Sequence, residues 1–221
     1  SSPLAIAAAY ALPRKIEEAT YLVLDVGAGS TEVALVEYES GTVRMLAVRH
    51  DETLGGESFD TVLADRLGRE VEAVTGDIPT PDRGWLDLLE AAEIAKVRLS
   101  QDLSTHVHVA RAEGAPGMTF DIEQELSQVE LVPILAPLLG RIRILMQDTL
   151  SSANLSPSQI DAVLLAGGQT RSPQVRMVAR AFSQQLVDIS EPSIAVYGAL
   201  MLHQAGTEAV DVLPRDLAVR G

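Results

Sequence analysis

Three short stretches hold the residue types that could do chemistry. Residues 25–31, DVGAGST, set a carboxylate, two glycines and two hydroxyls between apolar runs that read as strands. Gly27 and Gly29 can take positive φ and let backbone N–H groups approach an anion. Asp25 stands where a carboxylate could orient a water or the waters around a metal ion, and Ser30 and Thr31 add hydroxyls. A plain hairpin explains the same residues, because short glycine motifs recur without ligands. A second glycine turn, AGGQTRSP (166–173), follows the apolar run AVLLA and leads into a helical pattern. Gly167 and Gly168 would there be open to a base or sugar, with Arg171 able to stack on a ring; an ordinary strand-to-helix connection is the alternative. In EAAEIAKVRLS, Glu93, Lys96 and Ser100 lie three and four residues apart and project from one helix face, as a surface ion pair would also require.

The elements that must position these groups read as follows. Residues 3–12, PLAIAAAYAL, are Ala-rich with Pro at a plausible first helical position. Residues 20–26, 31–38 and 42–49 predict an antiparallel meander, turned by the glycine bend and by Ser40-Gly41. Phe59, Leu63, Leu67 and Val71 recur at four-residue spacing and predict a helix over 58–74. Two prolines and two glycines make 75–84 a loop, after which Trp85 opens a helix to about Ser100. Residues 105–110 and 118–122 alternate like strands around a Gly114–Gly117 turn. A long helix is expected over 123–153, broken near its start by Pro133 and Pro137, with the acidic groups at 121–130 as its solvated first turn. The buried strand AVLLA, a helix over 173–183, a short strand near 185–189, a helix over 192–205 and an extended tail complete the chain.

Composition narrows the function classes. A formal net charge of −14 argues against nucleic acid, whose phosphates need clustered Lys and Arg. The absence of cysteine excludes disulfides and thiolate metal sites and makes a reducing compartment, the cytoplasm, the default. No apolar run approaches the roughly 18–20 residues that span a bilayer. His106 and His108 share one strand face, too few ligands for a metal. The chain starts without methionine and reads as part of something larger.

Taken together and in order, the motifs resemble the nucleotide-binding domain of DnaK-type heat-shock 70-kDa chaperones, members of the actin-like ATPase superfamily. DVGAGSTEV is similar to that family's DLGGGTFDV, TLGGESFD to HLGGEDFD, AAEIAKVRLS to AAExAKxxLS, and LLAGGQTRSP to LVGGSTRxP. PLAIAAAYAL looks like EPTAAALAYGL, so similarity runs from about residue 2 to 205 and covers only the second lobe of a two-lobed domain. The resemblance implies an α/β, ribonuclease-H-like lobe with an inserted smaller α+β subdomain. Its sheet subdomain would be 1–54 and 123–206, the insert 55–122, and 207–221 the start of an interdomain linker.

Residue roles follow from the same resemblance. Asp25 would orient the attacking water and help place the magnesium shell, Ser30 would stand for a water-positioning threonine, and Glu32 would act through magnesium-bound water. Gly27, Ala28 and Gly29 would line the β- and γ-phosphates of ATP or ADP. Gly55 and Gly56 would approach the ribose and phosphates, Glu93, Lys96 and Ser100 would contact adenosine, and Gly167, Gly168, Gln169 and Arg171 would close over base and ribose. Departures are plain: Ala28 replaces a glycine, Thr31 an aromatic and Gln169 a serine, and the ribose-contacting acid falls on Pro192 or Ser193, beside Glu191. The first phosphate loop and catalytic lysine belong to the first lobe, so the chain alone is expected to bind nucleotide weakly and not to hydrolyse it. The parent would couple hydrolysis to peptide binding with a J-domain co-chaperone and a nucleotide-exchange factor. A non-hydrolysing regulatory or scaffold protein of the same fold is the alternative, and a sugar kinase or filament protein a remoter one.

Overall fold

The computed structural model describes residues 2–76, 84–113, 119–189, 191, 193–204 and 209–211. The expected Gly114–Gly117 turn, most of the loop at 75–84, Pro192 and the tail beyond 211 lie outside them. The chain forms two compact units, Ser1–Gly55 with Leu139–Gly221, and Gly56–Leu138. In chain order the helices are α1 (Ser2–Ala11), α2 (Gly56–Thr75), α3 (Trp85–Arg98), α4 (Gln128–Ser152), α5 (Pro173–Arg180) and α6 (Ile194–Gln204). The strands are β1 (Glu18–Val26), β2 (Thr31–Glu39), β3 (Thr42–Asp51), β4 (Ser104–Glu113), β5 (Thr119–Ser127), β6 (Ala162–Ala166), β7 (Leu186–Asp188) and β8 (Ala209–Asp211).

The first unit is built on a six-stranded sheet of order β7-β6-β1-β2-β3-β8. β1, β2 and β3 form the expected antiparallel meander, and β6 runs parallel to β1. All five residues of AVLLA are buried, as a central parallel strand covered on both faces requires. On one face Tyr21, Val23, Ala34, Val36, Met45 and Leu164 pack against Leu4, Ile6, Ala7 and Ala8 of α1. The small residues of α1 serve a close helix crossing: a Cβ on Gly198 of α6 would overlap the Ala5 carbonyl and lie 3.1 Å from Ala9 Cβ. On the other face Asp51 accepts from Arg141 of α4 at 2.6 Å, and Arg49 donates to Ser152 at the end of the same helix. Partial burial works against ionisation of Asp51, but the Thr53 N–H, the Arg141 guanidinium and the Thr53 hydroxyl outweigh it and hold the carboxyl below its ordinary value.

The second unit pairs α2 with α3 and adds the β4–β5 hairpin. Phe59, Leu63, Leu67 and Val71 are all buried, so the four-residue spacing marked the core face of α2. Two expectations are corrected here. Residues 123–127 are not the start of a helix but the second half of β5, where Glu123, Gln124 and Glu125 pair with His108, Val107 and His106. Ile122 and Leu126 are buried while Asp121, Glu123 and Glu125 are exposed, a period of two. The helix begins instead at a capping box: Ser127 Oγ and N–H both donate to the Glu130 carboxylate, at 2.6 and 2.8 Å. The other correction is that α4 runs unbroken through Pro133 and Pro137. Each proline deprives one carbonyl of its donor, those of Val129 and Pro133, and both of these residues are exposed, so water can take the donor's place.

Candidate functional site

The bend of the opening motif lies at one end of the first unit's sheet. Gly27 N–H donates to the Ser30 carbonyl at 2.9 Å and closes a four-residue connection between β1 and β2. Neither Gly27 nor Gly29 lies at positive φ, contrary to the expectation for both. The bend does not use its glycines for backbone conformation, and a Cβ on Gly27 would meet only Ser30 O, at an ordinary 3.6 Å. What they leave is an uncovered backbone, with Ala28 and Gly29 exposed at the apex. From below, the bend is fixed by the neighbouring loop. The fully buried Thr31 hydroxyl donates to the Leu54 carbonyl at 2.6 Å, which satisfies its polar group. Gly55 then lies directly under the bend, where a Cβ would overlap Ala28 O and come within 2.6 Å of Ser30 N.

Asp25, the penultimate residue of β1, has Glu32 opposite it on β2 and Ala166 beside it on β6. Burial pushes its carboxyl above the ordinary value. The second glycine turn closes on this same group. Gly167 takes φ +77°, and a Cβ there would overlap the Val26 carbonyl and sit 2.6 Å from Asp25 Oδ1. Thr170 locks the turn by donating its hydroxyl to the Gly167 carbonyl at 2.7 Å. Gly168 has open space where a side chain would be. The result is a cavity of about 370 Å³ bordered by Asp25, Gly167, Gly168, Arg171, Glu191 and, from α1, Ser2. Gln169 is buried and does not line it. The first unit thus brings Asp25, the bend, Gly55, Gly167, Gly168 and Arg171 together, and adds Glu191.

In the second unit, Glu93 and Lys96 do lie one turn apart on α3, but Ser100 falls beyond the helix end and donates its hydroxyl back to the Val97 carbonyl at 2.6 Å. Lys96 does not pair with Glu93. Its ammonium donates to Asp60 Oδ2 at 2.6 Å and to the Gly56 carbonyl at 3.1 Å, both on α2. Sequence reading missed Asp60 although it closes the motif TLGGESFD, because a pairing across 36 residues leaves no periodic trace. Thr31 with Leu54 is a second such pairing.

A magnesium nucleotide fits the donor set of the first unit. Magnesium keeps most of its waters and takes one or two carboxylates besides phosphate oxygens. Asp25, partly desolvated, and Glu32, its cross-strand neighbour, supply that number, and the open backbone at Ala28–Gly29 and Gly168 leaves room for phosphates and sugar. Among the described residues no three His, Asp or Glu groups converge as a dedicated protein cage would need.

The family model described as "Hsp70 protein" matches residues 1–212. The chaperone protein dnaK3 of Thermosynechococcus vestitus is 36% identical over 219 residues, covering 96% of this chain and 31% of its own length. The chaperone protein DnaK of Thermus thermophilus is 36% identical over 183 residues, 81% of this chain and 30% of the relative. Heat shock 70 kDa protein 6, chloroplastic, of Arabidopsis thaliana is 32% identical over 215 residues, 96% of this chain and 30% of its own. The chain therefore spans about a third of the length of these curated relatives.

Proposed function

Since the chain belongs to the Hsp70 family and has its actin-like ATPase fold, we propose that it is the second-lobe portion of a chaperone nucleotide-binding domain and that its first unit receives the phosphates of ATP or ADP. One observation carries the reading: the Gly167 turn is pressed onto Asp25 at the end of β1 and leaves an open cavity beside that carboxylate. Only glycine allows so close an approach at this φ, and the turn it makes leaves a partly desolvated acid facing an open volume that a ligand could fill.

In this reading Gly27, Ala28 and Gly29 offer backbone to the terminal phosphates, and Asp25 and Glu32 hold the hydrated magnesium. Bound magnesium would neutralise charge developing on the phosphates. Asp25 and Ser30 orient the attacking water, while Gly167, Gly168 and Arg171 line the base and ribose. Gly55 acts differently from the role suggested by resemblance: its missing side chain serves the packing of the bend. Gln169, buried, supports the turn rather than closing over the base. In the second unit, Gly56 and the α3 residues Glu93 and Lys96, with Ser100 just beyond, take the adenosine-contacting role. The division into a sheet subdomain, an insert and a linker start at 207–221 belongs to the same proposal, as do peptide coupling, a J-domain partner, an exchange factor and a cytoplasmic setting. Among the described residues no helix is long and apolar enough to cross a membrane.

Turnover by this chain alone is not expected. Phosphoryl transfer needs cations around the γ-phosphate, and among the described residues the cavity wall carries two acids, Asp25 and Glu191, against one guanidinium, that of Arg171. Titration calorimetry with ADP and magnesium should give weak binding, and a phosphate-release assay with ATP should stay at the blank. Robust turnover would overturn the second expectation; absence of any ADP binding would overturn the nucleotide reading.

A further inference from the structure

The Lys96–Asp60 pair is out of character for a helix surface. The side chains of Lys96 and Asp60 are only 16% and 10% exposed. Removing both charges from water carries a desolvation cost that can cancel their attraction, so that an apolar pair would hold the helices as well. Burial raises the pKa of Asp60 and Lys96 opposes that rise, while Glu93 and Glu57 add to it. Stability alone therefore does not account for an acid at this point of α2.

The pair's geometry points to a more specific task. Asp60 Oδ2 is taken by Lys96, and Oδ1 is buried with no hydrogen-bond partner among the described residues. Every hydrogen bond this carboxylate makes there is spent on one ammonium. That ammonium also donates to the carbonyl of Gly56, within the Gly-Gly pair that begins α2. An unpaired lysine side chain is rich in rotamers, and Asp60 removes that freedom before a ligand arrives. The exposed Glu93, three residues earlier and spaced for an ordinary helical ion pair, is left free of Lys96.

We propose that Asp60 is the positioning residue for Lys96, holding the ammonium on the Gly56 carbonyl so that the α3 face meets adenosine with its cation already placed. This rests on the nucleotide reading given above. Asp60 acts through Lys96 and does not touch the nucleotide itself.

The test is a double-mutant cycle on the full chain, with ADP and magnesium titrated by calorimetry. Asp60→Asn keeps the side chain's size and removes its charge, and should weaken ADP binding by about tenfold. In a Lys96→Met background the same change should alter affinity less than about twofold, because the residue it acts through is gone. Lys15, exposed, and Lys96 are the chain's two lysines, which gives an independent readout. In wild type, acetylation followed by mass spectrometry should label Lys96 far more slowly than Lys15, and Asp60→Asn should close that gap. Unchanged ADP affinity in Asp60→Asn, an equal loss in both backgrounds, or unchanged Lys96 labelling would each overturn the assignment. Failure of the wild-type chain to bind ADP would remove the nucleotide reading and this inference with it. If Asp60→Asn does not fold, slow wild-type labelling of Lys96 that ADP slows further supports the assignment; labelling as fast as Lys15 overturns it.

Discussion

Two hairpins of one sheet use glycine in opposite ways. Between β2 and β3 the connection is Ser40-Gly41, with φ of 48° and 88°, so both central residues sit in the left-handed region that a two-residue hairpin needs to match strand twist. Between β1 and β2 the bend holds Gly27 and Gly29, and neither lies at positive φ. Glycine is demanded by backbone conformation in the first hairpin, whereas in the second a Cβ on Gly27 would meet only an ordinary contact. In the nucleotide reading, the uncovered backbone at the second bend is what receives the phosphates. Gly167 is required twice over, since its φ of +77° is strained for any other residue and a Cβ there would overlap the Val26 carbonyl and sit 2.6 Å from Asp25 Oδ1.

The comparison can be broken most severely at Gly167. Gly167→Ala combines left-handed strain with overlap onto the Val26 carbonyl, and should destabilise the fold by about 3–5 kcal/mol. Urea unfolding followed by circular dichroism would measure this, and a loss under about 1 kcal/mol would mean that the turn is not packed on Asp25 as described.

Asp25→Asn should come next, with the opposite sign. The folded protein holds the Asp25 proton more tightly than the unfolded chain does, because burial raises its pKa. Its contribution is therefore favourable below the unfolded value of 3.8 and is lost as pH rises through the folded value. At neutral pH the ionised carboxylate is a liability. Asn should stabilise the fold there by about 0.5–2 kcal/mol, the size of an ordinary single stabilising substitution. Thermal melts at pH 7 and at a pH below 3.8 would separate the cases, since an equal gain at both would point to packing rather than charge. The same variant should lose magnesium-dependent ADP binding.

Gly41→Ala isolates the conformational use of glycine. A side chain there meets open space, so the cost is strain at φ +88° alone, about 1 kcal/mol. ADP affinity should not move, and a change beyond about twofold in calorimetry would argue that the two hairpins are not independent.

Why some of this was legible in the sequence follows from the range of the interactions. The meander, the buried strand AVLLA and the core face of α2 are set by residues two to four apart, and a local pattern records them. The acids of EQELS suggest a helix start by composition, while the alternation of Ile122 and Leu126 with charged neighbours, and the Ser127–Glu130 capping box, hold the deciding information. Pro133 and Pro137 leave α4 unbroken because the carbonyls they free belong to exposed residues, and residue type alone does not carry that exposure. The glycine motifs announced a site, but not which glycine serves ligand space and which serves packing. Gly55 under Ala28, Gly167 against Asp25 and Lys96 on Asp60 are contacts between distant segments, and nothing in a linear pattern predicts them.

The smallest effect on stability, and the sharpest use of the comparison, lies at the bend itself. Gly27→Ala places a methyl in ordinary contact with Ser30 O, so unfolding free energy should change by no more than about 0.5 kcal/mol. If the uncovered backbone receives phosphates, that methyl should still weaken ADP by several-fold. Ala28→Gly should do the reverse, clearing the exposed apex and tightening ADP while slightly lowering stability through added chain freedom. Stability and affinity would then move in opposite directions in Ala28→Gly, and affinity alone would move in Gly27→Ala. Should both variants change stability and affinity in parallel, the glycines of the bend would be conformational after all, and the two hairpins would not differ in kind.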